Sequence, residues 1–300
     1  MLNKLIIICY YSQKQFLVKG AHAFALLRPL FTISCSLLLV LSSCNKVEPP
    51  FVNKTASSIT DSTTFQRTVL LEEITGDQCK NCPSAHAKLE YLQKLYGSRL
   101  VSYAVIAPKS SGVSDDSLLS STSNDIYNKW ISLTGLPTGM INRKSFPPPI
   151  SGITVSYDDW QQTVRSILQI PPQLNIILIN NYNITSRNLN TSVYILTVDT
   201  ISVPLMLSVY IIEDSLRNSQ TDDSTTVSNY IERNVLRGSM NGTWGDALQN
   251  KALPKNQYIN KNYQCPLKRF WNYKQVYTVA FVYNENNYEV IQSQKAKITP

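Results

Sequence analysis

Aspartate and glutamate are missing from the first 44 residues, whose only formal charges are Lys4, Lys14, Lys19 and Arg28. A cationic, acid-free start running into the apolar stretch PLFTISCSLLLVLSSC has the n-region and h-region order of a secretory signal. A membrane-spanning helix needs about 20 apolar residues. The run from Leu30 to Leu41 falls short of that, so cleavage is expected rather than retention as a span. A basic stripe with interleaved aromatics is also lacking. Without the four leader cations, 24 of the 28 basic residues face 20 acidic ones, a balance of about +4. That balance excludes a nucleic-acid footprint, so no nucleic-acid partner is expected. Histidine is scarce, with two in the chain, and a second closely spaced cysteine pair is absent. A four-ligand zinc site is therefore a poor match, and no cofactor or metal is expected.

What is present begins at the end of the apolar run. Leu41-Ser42-Ser43-Cys44 resembles a bacterial lipobox, in which the cysteine is lipidated and becomes the mature N-terminus. The expected consequence is a body held at a membrane by acyl chains on Cys44. Residues 45–65 are rich in Pro, Ser and Thr without periodicity and read as a flexible tether.

The first folded segment is expected over 66–170. RTVLLEEI reads as a buried strand and leads directly into GDQCKNCPSAH. Pro83 suits the first turn of a helix, Ala85, Leu89, Leu92 and Tyr96 repeat at helical spacing, and Gly97 supplies a stop. RLVSYAVIA then reads as a second strand, which makes a βαβ unit with a parallel pair. A Ser-rich loop, a short helix over 124–133, a strand after Pro137 and a helix over 157–169 complete this half. Pro171-Pro172 mark the expected boundary with a second domain at 173–300. That half is a succession of strand-length apolar runs without helices, which argues for an antiparallel sandwich. Residues 215–269 read as irregular.

Cys79-x-x-Cys82 beside a βαβ pattern is the signature of a thioredoxin-like redox site. At a helix start, unpaired amides and the positive end of the helix dipole favour thiolate over thiol. Cys79, the more exposed member, would be the nucleophile, and Cys82 would resolve the mixed disulfide. Pro137, in the Gly135-Leu136-Pro137 loop, stands where such folds carry a cis-proline. Glu73, six residues before Cys79, stands where many members bury a proton-accepting acid. Its neighbour Glu72 would point to the opposite face, so only one of the two is expected to be buried. His86, four residues after Cys82, shares a helix face with that thiol and could tune it. Other readings stay open: a structural disulfide, a trans turn proline, a solvated Glu73, and His86 as a packing residue. Cys265 is expected to be a small buried hydrophobe.

VLLEEITGDQCKNCPSAH (69–86) resembles the signature of the outer-membrane protein 28-related lipoproteins of Bacteroidetes. LPTGMINR, IIEDSLRNSQ, NVLRGSMNGTWGD and VAFVYNENNYEVIQSQ add weaker matches. The resemblance implies an α/β thioredoxin-like domain followed by an all-β immunoglobulin-like sandwich, on an outer-membrane lipoprotein. It implies either thiol chemistry on an exported protein or adhesion to a protein or glycan partner. Thioredoxins usually carry an aromatic residue before the nucleophile; here Asp77-Gln78 stand instead, and Lys80-Asn81 separate the cysteines.

Overall fold

Strand β1 (Val69–Thr75) of the computed structural model is buried along its whole length, including both of its glutamates. The structure describes residues 65–115, 117–131, 135–147, 152–249 and 251–300. The leader at 1–44, Cys44 and the tether before residue 65 lie outside the described residues. Thr64–Pro300 forms one compact unit. Among the described residues no helix is long and apolar enough to cross a membrane.

After β1 the chain forms helix α1 (Cys82–Tyr96) and strand β2 (Leu100–Ile106). Strand β2 runs parallel to β1, with Val69 opposite Leu100 and Thr75 opposite Ile106. Pro83 lies in the first turn of α1, which buries Cys82, Ala85, Leu89 and Leu92; it stops at Gly97, whose φ of 55° suits a residue without a Cβ. Helix α2 (Ser121–Trp130) starts three residues earlier than the sequence suggests, because the Ser120 hydroxyl caps it by accepting the Ser123 N–H at 3.1 Å. Strands β3 (Thr138–Ile141) and β4 (Thr154–Val155) continue the sheet antiparallel beyond β1, and helix α3 (Trp160–Leu168) packs on their outer face.

The later strands are β5 (Leu174–Asn183), β6 (Asn188–Thr197), β7 (Leu205–Glu213), β8 (Leu216–Asp222), β9 (Thr225–Glu232) and β10 (Val235–Ser239). They are followed by β11 (Asp246–Gln249), β12 (Tyr258–Pro266), β13 (Val276–Asn284) and β14 (Val290–Lys297). Five of these fall in 215–269, the stretch expected to be irregular.

The expected fold class, an α/β thioredoxin-like domain followed by an immunoglobulin-like sandwich, does not hold. The structure is mostly β, and its largest sheet runs β14-β13-β7-β10-β2-β1-β3-β4, through both halves of the chain. The junction is narrow: β10 meets β2 in parallel at Val235 opposite Ala104. One core follows from it, in which Leu70, Val101 and Tyr103 of the first half pack with Tyr210, Leu236 and Phe281 of the second. The sheet also curls back on itself. At the foot of β1, the Thr68 N–H donates to Gln292 Oε1 at 2.9 Å, and Ser293 N–H donates to the Thr68 hydroxyl at 3.2 Å. A second sheet, β12-β6-β5, covers the opposite face of β7, β13 and β14 through Ile176, Val193, Ile195, Leu207 and Val282. Sequence reasoning assigned strands to the half that contained them, whereas the pairing that fixes the fold joins residues more than 100 positions apart.

Because α1 and α3 cover one face of β1 and the curled core the other, both Glu72 and Glu73 are buried. This corrects the expectation that only one of them could be. Glu72 faces the curl. Arg143 meets it with two N–H donors, each at 2.7 Å, and the Tyr103 hydroxyl donates to the same carboxylate. The Arg143 guanidinium also lies 4.8 Å from the Trp130 ring centroid and 4.9 Å from that of Phe281. Burial alone would weaken the hold of Arg143 on its proton. The adjacent Glu72 carboxylate outweighs that and keeps the guanidinium well above its ordinary range.

Removing one partner of so buried a pair strands the other charge. Glu72→Ala is expected to cost about 3–5 kcal/mol in urea unfolding, and the double replacement Glu72→Met with Arg143→Met markedly less than the sum of the two single changes.

Candidate functional site

The turn between β1 and α1 carries the two cysteines. Cys79 and Cys82 form a disulfide with S–S 2.10 Å and Cα–Cα 5.4 Å. Cys82 is the first residue of α1, and the N-cap residue Asn81 makes no side-chain cap. The Cys82 N–H donates to the Cys79 carbonyl at 3.2 Å and Pro83 has no N–H, so what favours a thiolate here is the positive end of the helix dipole beside the pair. Cys79 is the more exposed of the two, but only at 3% against 0% for Cys82.

The cover over the sulfurs comes from the β8–β9 hairpin, in the stretch that sequence reasoning left unassigned. Thr221 N–H donates to the Asp77 carbonyl at 2.7 Å and Asp223 N–H to the Lys80 carbonyl at 3.3 Å. The Gln220 side-chain amide donates to the Cys79 carbonyl at 3.1 Å and the Gly76 carbonyl at 3.3 Å. Gln220 itself is fully buried. In sequence, the signal for this hairpin is weak: Asp223-Ser224 is not one of the strong two-residue turn pairs, although Asp223 does take a left-handed φ of 51°.

Glu73 lies on the α1 side of β1, with Oε1 at 3.6 Å from His86 Nε2. Burial, reinforced by the nearby Glu232 carboxyl on β9, pushes Glu73 up to about 8. His86 bonds through Nε2 to the Thr75 hydroxyl at 2.9 Å and through Nδ1 to the Tyr230 hydroxyl at 2.7 Å. Burial pushes His86 down to about 4, so its ring is neutral at pH 7. The Glu73–His86 contact at neutral pH therefore joins a protonated acid and a neutral imidazole rather than an ion pair. Glu232 is raised to about 7, first by burial and then by Asp77 in the cysteine turn. Its place beside Glu73 is a second feature that sequence reasoning missed.

The Leu136–Pro137 peptide is cis. Thr138, the next residue, sits opposite Ile74 in the register, which puts Pro137 at the end of β1 that leads into the cysteine turn. Cys265 is a free thiol, partly buried on β12, in the other sheet. A cleft of about 820 Å³ runs along α1 and is lined by Glu73, His86, Glu90, Tyr230, Glu232 and Lys295.

Two carboxyls that hold protons more tightly folded than unfolded bind excess protons in the native state, so stability falls as pH rises through their range. The depressed His86 acts in the opposite sense, but only between about 4 and its ordinary 6.5. Between pH 6.5 and 8, Glu73 and Glu232 outweigh Lys295, which burial lowers to about 8 and which acts in the opposite sense, and unfolding free energy is expected to drop by about 1–2 kcal/mol. Glu73→Gln with Glu232→Gln should flatten that slope in urea titrations run at each pH.

The model of the family described as outer membrane protein Omp28 matches residues 124–300, more than half of the chain, beginning after the cysteine turn. In structure the chain is similar to HBP35 of Porphyromonas gingivalis, with a TM-score of 0.62 at 16% identity over 79% of this chain and 77% of that one. A domain of the outer membrane lipoprotein Omp28 from Porphyromonas gingivalis is 22% identical over 43% of this chain and 90% of that one, with a TM-score of 0.31. A structural-genomics target from Agrobacterium tumefaciens is 10% identical over 77% and 95%, with a TM-score of 0.47. No curated protein sequence matches the chain. On the family match, the chain belongs to the outer membrane protein Omp28 family, and its location is the outer membrane.

Proposed function

We propose that this outer-membrane protein exchanges disulfides with exported proteins through Cys79 and Cys82. The observation that carries the reading is the placement of the pair: a disulfide at the start of α1, with the buried, protonated carboxyl of Glu73 against His86, one turn further along that helix. Written from the oxidised form, a substrate thiolate attacks Cys79 Sγ. The new bond is the mixed disulfide, the Cys79–Cys82 bond breaks, and its electron pair leaves on Cys82 as a thiolate stabilised by the helix start. Glu73 supplies the proton that Cys82 takes up, with His86 holding Thr75 and Tyr230 in place around it. A second substrate thiol then attacks the mixed disulfide, the substrate leaves oxidised and the protein keeps two thiols. Pro137 shapes the surface beside the turn. Cys44 carries the acyl chains that hold the body at the membrane.

A second reading rests on one specific observation, the burial of both sulfurs. In it the disulfide is a staple, and the protein binds a protein or glycan partner. A four-residue ring removes little unfolded-state entropy, about 2 kcal/mol by loop closure against about 3 for a 15-residue loop. A staple of that size adds little to a unit already tied by a continuous sheet, so the exchange reading is preferred.

In the reverse direction the Cys79 thiolate attacks a substrate disulfide, one substrate sulfur leaves as a thiolate, and Cys82 resolves the mixed disulfide, so Cys82→Ser leaves that adduct without its internal resolving thiol. In cells, this variant is expected to accumulate adducts with exported proteins that dissolve in reductant and vanish in the Cys79→Ser, Cys82→Ser double variant. A Cys82→Ser protein that is present at normal levels and free of adducts would favour the staple. Cys44→Ala is expected to move the protein from the membrane fraction to the soluble one.

A further inference from the structure

The β8–β9 hairpin is a two-stranded sheet that pairs with neither of the other two. A hairpin of that kind is marginal on its own in water. It joins the body at Ser215, with φ of 60°, and at Asn234, with φ of 50°; both are non-glycine residues in the left-handed region. Its outward strand β9 is exposed from Thr225 to Asn229. Its inward strand β8 is fastened to the cysteine turn by few bonds. The two main-chain bonds come from Thr221, near the end of the strand, and Asp223, the left-handed turn residue just past it. Between them and the sulfurs lies Gln220, whose amide reaches the Cys79 carbonyl. Among the described residues, the other polar ties are a second bond from the Gln220 amide, to the Gly76 carbonyl at 3.3 Å, the Tyr230–His86 bond and one from Asn218 to the Ser117 hydroxyl at 3.2 Å.

From this geometry we infer that β8–β9 is a hinged cover, and that β8 occupies the docking place of an extended polypeptide carrying the substrate thiol. The carbonyls of Asp77 and Lys80 accept from alternate amides of whatever extended strand lies across them. The Gln220 side chain ends at the Cys79 carbonyl, so a cysteine at that position in a docked strand has its thiol directed toward the same turn, and the strand settles closer for the two sulfurs to meet. Folded proteins, which cannot offer an extended edge with a free thiol, are excluded while the cover is closed. The inference rests on the exchange reading for its substrate, but the cover itself does not.

Thr221→Pro removes one fastening N–H and leaves the β8–β9 ladder intact, because that N–H points away from β9 and an edge strand tolerates proline there. In the full-length chain, reduction of the disulfide by tris(2-carboxyethyl)phosphine is expected to speed up at least ten-fold in Thr221→Pro. A synthetic peptide spanning Arg217–Asp223 with Q220C should reduce the variant faster than it reduces the wild type, and faster than a scrambled peptide does. Hydrogen exchange on the wild type gives a test that does not depend on the variant folding: the amides of 216–232 should exchange faster than those of β7 and β13. A folded Thr221→Pro protein reduced by the phosphine at the wild-type rate, or a hairpin as protected as β7, overturns the cover. If the phosphine result holds while the two peptides react alike, the cover stands and the docking place falls. If both hold but no adducts form in cells, only the exchange reading fails.

Discussion

Strand β1 is covered on both faces, and that single constraint decides what each of its two glutamates becomes. Glu72, turned into the curl of the large sheet, exists only with Arg143 against it, and the pair ties β1 to the residue just past β3 and to the aromatic rings of Trp130 and Phe281. Glu73, turned toward α1, has among the described residues no cation of comparable proximity and keeps its proton. One strand thus holds a permanent buried ion pair on one side and an uncharged acid on the other. The first is architecture. The second is available for proton transfer because burial, more than any partner, sets its affinity for the proton.

The same covering links the cysteine pair to the far half of the chain. With β10 pairing to β2, the segment before β10 has to return across the end of β1, and that segment is the β8–β9 hairpin. The sulfurs are therefore hidden by residues about 140 positions later in sequence, and both Glu232 and Tyr230 arrive beside Glu73 and His86 by the same route. A turn of this kind in isolation would be solvent-exposed. Here sheet topology makes exposure of Cys79 a matter of hairpin movement.

Local features were legible in the sequence and long-range ones were not. Pro83, the spacing of Ala85, Leu89 and Leu92, and Gly97 fix α1 and so the position of Cys82 at its start, since each acts within a turn or two of the chain. The parallel β1–β2 pair follows from the short crossover. The fold class was misread because the bonds that decide it, Val235 with Ala104 and Thr68 with Ser293, leave no periodic trace in either segment. Glu72 shows the limit most plainly: strand alternation correctly put it on the face opposite Glu73, but nothing local says that this face is also a core, or that Arg143 waits there. The residues that cover the site, Gln220 and Thr221, sit in a polar strand whose burial comes entirely from what it lies upon.

The account turns on whether the sulfur pair at the start of α1 is poised for exchange. Equilibrating the purified protein against glutathione buffers of graded ratio gives its reduction potential directly. A value clearly above about −300 mV is expected of an exchanging pair, whereas a lower one, in the range of inert structural disulfides, would contradict the account.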